Sequence, residues 1–376
     1  MRNKNEIKKR LVYWAAVLGV ASLFLFAVPQ RLDPYQLNLL GRFLTYGIVA
    51  AALDLIWGFG GMLSLGQGLF FGLGAYAMGM YLKLEASGKS LPDFMDYNGL
   101  TSLPAFWKPF HSPIFAIAAA ILVPMTVAAA IGFLIFRSRV QGVYFSIITQ
   151  ALTLIASILI IGQQPYTAGT NGLTSFTTLF GHSLSEDSTQ TGLYWVTVVA
   201  LALVFVLCHG ITKSRFGKLL VAMRDDENRV RFLGYNPVVL KIIVFAISAG
   251  LTGLAGALFV PQVGLISPSQ LAVSPSVEMV IWVAVGGRGT IIGPIIGAIL
   301  VSWGKSTFSS DFPDSWQYFM GALFIGSVLV FPKGIVGTLI DSLRWCSARI
   351  HSKQMIVGFR PAPTESDSNV EAAELQ

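Results

Sequence analysis

Six stretches of the chain, Leu11–Val28, Leu37–Trp57, Ser112–Phe136, Gly142–Ile161, Thr191–His209 and Val238–Val260, stay apolar for about 18–25 residues, long enough to cross a hydrocarbon layer of roughly 30 Å. Shorter or interrupted apolar stretches lie between Gly66 and Leu84, at Ser276–Val285, at Ile291–Trp303 and at Trp316–Phe331. Together they predict an all-α polytopic membrane protein with about ten transmembrane segments, eight to ten in range. Composition agrees: 54% hydrophobic residues, 12% charged residues and a mean hydropathy of +0.65 exclude an ordinary globular chain around one core.

The net charge of +7 does not point to nucleic acid, because the basic residues collect at the ends of spans. Alternating the ten segments across a bilayer puts 20 of the 26 Lys and Arg on one side, the asymmetry of cytoplasmic loops. Both termini then lie in the cytoplasm. Residues 1–10 form a basic N-terminus before an uncleaved first span, and 11–336 form the membrane domain. Residues 85–111 and 162–190 are extracytoplasmic loops, 213–237 is a cytoplasmic loop, and 352–376 is a polar tail too poor in apolar residues to fold alone.

The loop Lys213–Pro237 holds six Lys/Arg and three Asp/Glu, the densest charge between apolar segments. Phe216, Leu219, Leu220 and Met223 recur at helical spacing, which predicts a short amphipathic helix. Asp225 precedes Arg229, and Glu227 precedes Arg231, each by four residues, which predicts a second helical piece. Gly234 stops it, Asn236 is the expected N-cap and Pro237 fits the first turn of the next span. An amphipathic helix pair outside the bilayer needs a surface to dock on.

Two Gly-rich breaks interrupt the apolar pattern, Gly58–Gly68 and Gly286–Gly293, each just after a tryptophan, Trp57 and Trp282. Unwound backbone at membrane depth is tolerated only where protein buries it or where it lines a cavity. Ser64 and Gln67 beside the first break either line a pathway or serve helix packing. The fifth span, from Gly142, is polar for a buried helix. Tyr144, Ser146, Thr149, Gln150 and Thr153 offer neutral hydrogen-bonding groups, which suit a small uncharged or zwitterionic solute or bond neighbouring helices. Charge within the spans is scarce, and Arg42, Asp54 and Glu278 are the candidates for a functional role. Arg42 and Glu278 are expected to snorkel from the outer ends. Asp54 has capping, salt bridging and transport open to it.

Catalytic chemistry is not written in the chain. It lacks the GxxxxGKS/GxxxxGKT phosphate loop, GxSxG and HExxH. Two cysteines, Cys208 and Cys346, and four dispersed histidines give no disulfide framework and no metal-ligand spacing. A transport subunit without cofactor, metal or ATP site of its own is expected, rather than an enzyme.

Five stretches resemble one family in its own order: LDLIWGFGGMLSLGQGLFFGLGAY (Leu53–Tyr76), GVYFSIITQAL (Gly142–Leu152), TAGTNGL (Thr167–Leu173), the long run Ser214–Phe259, and GGRGTIIGPIIGA (Gly286–Ala298). The chain resembles the permease subunits of bacterial ABC importers for branched-chain amino acids, amides and urea. Asp54, YFSIITQAL and GQQPYTAGTNGL are most similar to the urea-importing members, although TAGTNGL departs from the commoner TGGTNG. The resemblance implies an inner-membrane permease that pairs with a second homologous permease. It also implies a periplasmic solute-binding protein and two cytoplasmic ATP-binding subunits, with membrane lipid around the complex. On this reading Ser64, Gln67, Tyr144, Ser146, Thr149, Gln150, Thr170 and Asn171 line the substrate pathway. Phe216, Leu219, Met223, Arg224, Asp225, Glu227 and Arg231 couple to an ATPase. Branched-chain amino acids or short amides are the alternative substrates, and a self-sufficient urea or amide channel is the alternative of another class.

Overall fold

The computed structural model describes residues 15, 19–88, 90–312, 315–330 and 334–338. The expected N-terminal segment 1–10, most of the first apolar run and the polar tail 352–376 lie outside them.

Each expected apolar stretch from the second onward becomes a helix. α1 (Pro34–Asp54) runs on through a π-helical turn, Leu55–Phe59. α2 (Gln67–Ser87), α3 (Pro113–Arg137), α4 (Val143–Gly162) and α5 (Asp187–Lys213) follow. The charged loop forms α6 (Arg215–Asp225) and α7 (Glu227–Phe232). α8 (Pro237–Val263), α9 (Val273–Gly286), α10 (Ile292–Asp311) and α11 (Trp316–Val330) complete the described chain. α1 with its π turn, α3, α4, α5 and α8 are long and apolar enough to cross a membrane unaided; the other four membrane helices are shorter or less apolar.

α8 is the central post, packed against α2, α3 and α1. Small residues allow that closeness. A Cβ at Gly74 would collide with the Gly253 carbonyl of α8, and one at Gly256 with the Phe71 carbonyl of α2. Around the lower half of α8, Phe245 meets Phe70, Phe136 and Phe145 edge-on, with centroids 5.3–6.1 Å apart. α5, α9 and α10 pack on the other side of α1.

Caps set the starts of the charged loop's helices as the sequence requires. Ser214 Oγ accepts from Gly217 N–H at 3.3 Å, Asp226 Oδ1 from Asn228 and Arg229 N–H at 3.0 and 3.2 Å, and Asn236 Oδ1 from Val238 N–H at 3.0 Å. Gly234 ends α7 with φ at +86°.

At the end opposite the charged loop, the expected extracytoplasmic loops knit together. Leu173–Thr174 pairs antiparallel with Leu265–Ile266. Lys83 Nζ holds Asp93 Oδ2 at 3.2 Å, and Glu85 accepts the Phe180 and Gly181 N–H groups at 3.2 and 2.6 Å. The stretch Pro261–Pro275, expected as a plain loop, does more. After Ile266 the chain turns back through Pro268–Leu271, and Ser157 Oγ donates to Pro268 O at 3.2 Å. Ser157 lies about 21 Å along α4 from Val143, so this turn sits within the length of the span.

Candidate functional site

The unwound segment Gly60–Gly66 runs beside α4, where Ser146 and Thr149, the first two residues of the buried stripe Ser146, Thr149, Thr153 and Ser157, meet it. Ser146 Oγ donates to Leu63 O at 2.6 Å, and Thr149 Oγ1 accepts from Leu65 N–H at 3.1 Å. Ser64 Oγ accepts from Gly66 N–H at 3.2 Å. Backbone groups that have left a helix thus find partners away from water, as burial demands. The starts of α2 and α9 then meet: Gly68 N–H donates to Ser276 Oγ at 3.1 Å, and a Cβ on Gly68 would strike Ser276 Oγ and crowd the Gln270 carbonyl. Two discontinuous helices therefore begin at one point inside the body.

Gln67 follows directly. Its amide is enclosed, donating to Ser248 Oγ at 3.2 Å and accepting from Thr252 Oγ1 at 3.0 Å, while Ser248 donates onward to Ala52 O at 2.6 Å. This polar knot ties α1, α2 and α8 together. Ser64, Gln67, Ser146 and Thr149 are thus all buried within the single chain, with their polar groups engaged. Tyr144 and Gln150 lie elsewhere: Tyr144 is 74% exposed and Gln150 half-buried, on the outward side of α4 with Ile147 and Leu154. Thr170 and Asn171 are exposed in the turn Gly169–Asn171 at the far end. The eight pathway residues of the sequence reading do not converge on one site within this chain.

The charged loop, by contrast, meets the first Gly-rich break, and Asp54 joins that break to the second. Arg224 Nη1 donates to Gly58 O at 2.8 Å, and its Nη2 pairs with Asp225 Oδ1 at 3.0 Å. Asp54, fully buried one turn above, accepts Gly289 N–H at 2.6 Å on one carboxylate oxygen and Ile291 N–H at 3.1 Å on the other. The Arg288 guanidinium lies 5.8 Å from the Trp57 ring centroid. A Cβ on Gly58 would strike both Asp54 and the Gly289 nitrogen. A buried carboxylate is costly unless bonded, and here two backbone donors at the start of α10 satisfy it. Among the roles open to Asp54, the structure shows capping, across to the other break.

One pairing and one helix face in the charged loop differ from expectation. Arg229 pairs with Asp226 at 2.9 Å rather than with Asp225. The apolar stripe turns inward: Leu220 and Met223 are buried, and Phe216 and Leu219 pack half-buried on the membrane body. Met223 is therefore buried within this chain. The most exposed large apolar groups of the loop are Phe232 and Leu233, 91% and 73% exposed; FL before the Gly234 stop was their only sequence signal. Glu227 pairs with Arg231 as expected, at 3.2 Å, and also with Lys241 at 2.6 Å and Gln141 at 2.9 Å. That fastens the loop to α8 and to the α3–α4 turn.

Glu278, expected to snorkel, is instead paired with Lys305 of α10 at 2.7 Å, because α9 and α10 pack side by side. Cys208 is buried and free, and no group of His, Cys, Asp or Glu among the described residues could hold a metal ion.

A body of long apolar helices around two discontinuous ones that start inside it, with a structured charged loop bound to the first break, defines a multi-pass transport permease of the inner membrane. The chain belongs to the family described as branched-chain amino acid transport system permease components, whose pattern matches residues 35–328. It is similar to the high-affinity branched-chain amino acid transport system permease protein LivM of Salmonella typhimurium, 25% identical over 368 residues, which cover 92% of this chain and 79% of that protein. LivM of Escherichia coli is 26% identical over 351 residues, 87% and 75% of the two chains. The autoinducer 2 import system permease protein LsrC of Yersinia pestis is 26% identical over 270 residues, 69% and 74%. No solved structure matches the chain.

Proposed function

We propose that this chain is one membrane-spanning subunit of an ATP-driven (ABC) importer for urea. It would pair with a second homologous permease, receive solute from a periplasmic binding protein and draw energy from two cytoplasmic ATP-binding subunits. The observation that carries this reading is the Arg224–Gly58 contact, which joins a structured loop outside the membrane body to the unwound backbone within it. A self-sufficient channel has no need of such a loop, whereas a chain lacking a phosphate loop needs an outside source of motion. Arg224, Asp225, Arg229, Phe232 and Leu233 form the outer surface available to an ATPase.

For the solute, Tyr144 and Gln150 on the outward face of α4 are neutral hydrogen-bonding groups, suited to a path completed by the second permease. The urea assignment draws its support from Asp54, YFSIITQAL and GQQPYTAGTNGL. The names of the LivM relatives favour a second reading, branched-chain amino acids. Uptake of labelled urea and of labelled leucine by cells carrying the complete transporter separates them. Labelled urea accumulates, and excess unlabelled leucine leaves its uptake unchanged, if urea is the substrate; labelled leucine accumulates and urea does not if the second reading holds.

A further inference from the structure

Where α3 ends and α8 begins, beside the charged loop, lies an open pocket of about 600 Å³. Arg137, Arg139, Arg231 and Lys241 line it against a single carboxylate, Glu227. Glu227 is already held by Lys241 and Arg231, so Arg137 and Arg139 bring charge that no carboxylate in the pocket balances. Both arginines are exposed, and Arg139 is fixed at φ +56° by the turn in which its N–H donates to Phe136 O at 3.2 Å. The other wall is apolar and faces outward. Phe133 and Val239 are 48% and 47% exposed on the pocket rim, and Leu134 and Ile243 continue exposed apolar surface along the same two membrane helices.

We infer that this pocket binds the phosphodiester headgroup of an anionic phospholipid, with the acyl chains lying along α3 and α8. Charge complementarity names the headgroup, since basic pockets between membrane helices on the basic side attract anionic lipid. The apolar rim sets lipid apart from a soluble phosphate, because it runs directly onto hydrocarbon-facing helix surface. A cytoplasmic protein would instead meet the loop's outer face, at Arg229, Phe232 and Leu233. Glu227 lies in both the pocket and the loop, so an occupied pocket would brace the loop through Arg231 and Lys241. This inference stands on the basic end facing anionic lipid and does not depend on which solute is carried.

The test is native mass spectrometry of the complete transporter in neutral detergent, titrated with dioleoyl-phosphatidylglycerol or dioleoyl-phosphatidylcholine. Phosphatidylglycerol is expected to be retained over phosphatidylcholine, and Arg137→Gln with Arg139→Gln to weaken that preference roughly ten- to thirtyfold. Arg137→Lys with Arg139→Lys should keep most of it, and Lys218→Gln, exposed on α6 away from the pocket, should leave it intact. Monodisperse elution of the variants shows that they fold. Equal retention of the two lipids, or a preference that survives the double glutamine variant, overturns the inference. Displacement of the lipid by millimolar inorganic phosphate would assign the pocket to a soluble anion, and loss of the ATP-binding subunits with lipid retention unchanged would assign it to protein docking; either outcome also overturns it.

Discussion

The Asp54 carboxylate, at the end of α1, accepts the N–H groups of Gly289 and Ile291 from a segment 235 and 237 residues further along the chain. That pair of bonds holds the two Gly-rich breaks against each other at the level where Arg224 enters from the charged loop. Asp54→Asn keeps one acceptor and turns an amide donor toward a backbone donor, and Asp54→Ala leaves both N–H groups bare. Each lost buried bond costs about 1–3 kcal/mol. Both variants should melt earlier than the parent protein, Ala more so, in a thermal unfolding series in detergent. Unchanged melting would show that the node does not hold the breaks together.

Gly58 tests the same node by volume. A methyl group there has no room between Asp54 and Gly289, whereas Gly162 at the end of α4 has open space around it. Gly58→Ala should reduce both folded yield and uptake, and Gly162→Ala should match the parent in both. Equal behaviour of the two would mean that the close approach at Gly58 is not needed.

Arg224 and Glu227 separate coupling from loop stability. Arg224→Gln removes the donor to Gly58 O while leaving the buried stripe of α6 in place. It should preserve assembly yet lower the urea carried per ATP hydrolysed, measured together in proteoliposomes. Glu227→Lys would set a third cation beside Lys241 and Arg231, where breaking a largely buried pair costs on the order of 3–5 kcal/mol. Charge reversal at Glu227 should therefore fail by loss of the folded loop, seen as new protease cleavage between 213 and 237. An Arg224→Gln variant with normal coupling would remove this arginine from the mechanism.

Gln67 and Gln150, both polar residues in apolar surroundings, should part company. Gln67→Leu leaves Ser248 and Thr252 short of a partner and should cost about 1–2 kcal/mol of stability. Gln150→Leu, on the half-exposed outer side of α4, should leave melting unchanged and reduce uptake. The reverse pattern would place the pathway at Gln67 instead.

Most of the fold was legible in the sequence because apolar length and helix caps are local signals. Every expected stretch from Leu37 onward has its helix, and Gly234, Asn236 and Pro237 punctuate the loop as their chemistry requires. What escaped was the set of relations spanning hundreds of residues. A carboxylate beside one break gives no sign that its donors belong to the other, and Ser157 does not announce that Pro268 folds back toward it. The amphipathic stripe of α6 was visible, but spacing alone does not say whether it faces a partner or its own chain. Packing chose the latter, as the burial of Leu220 and Met223 shows. The polar stripe of α4 was also visible. Ser146 and Thr149 of it bond unwound backbone, a use that only the neighbouring break defines.

The central claim is that this permease moves solute only when driven through its charged loop. The direct measurement is labelled urea flux into liposomes holding the purified chain alone, compared with liposomes holding the chain with its partner permease, both ATP-binding subunits and the solute-binding protein. No flux above empty liposomes is expected for the chain alone, and uptake in the complete system should stop when ATP is withheld. ATP-independent urea flux through the chain alone would contradict it.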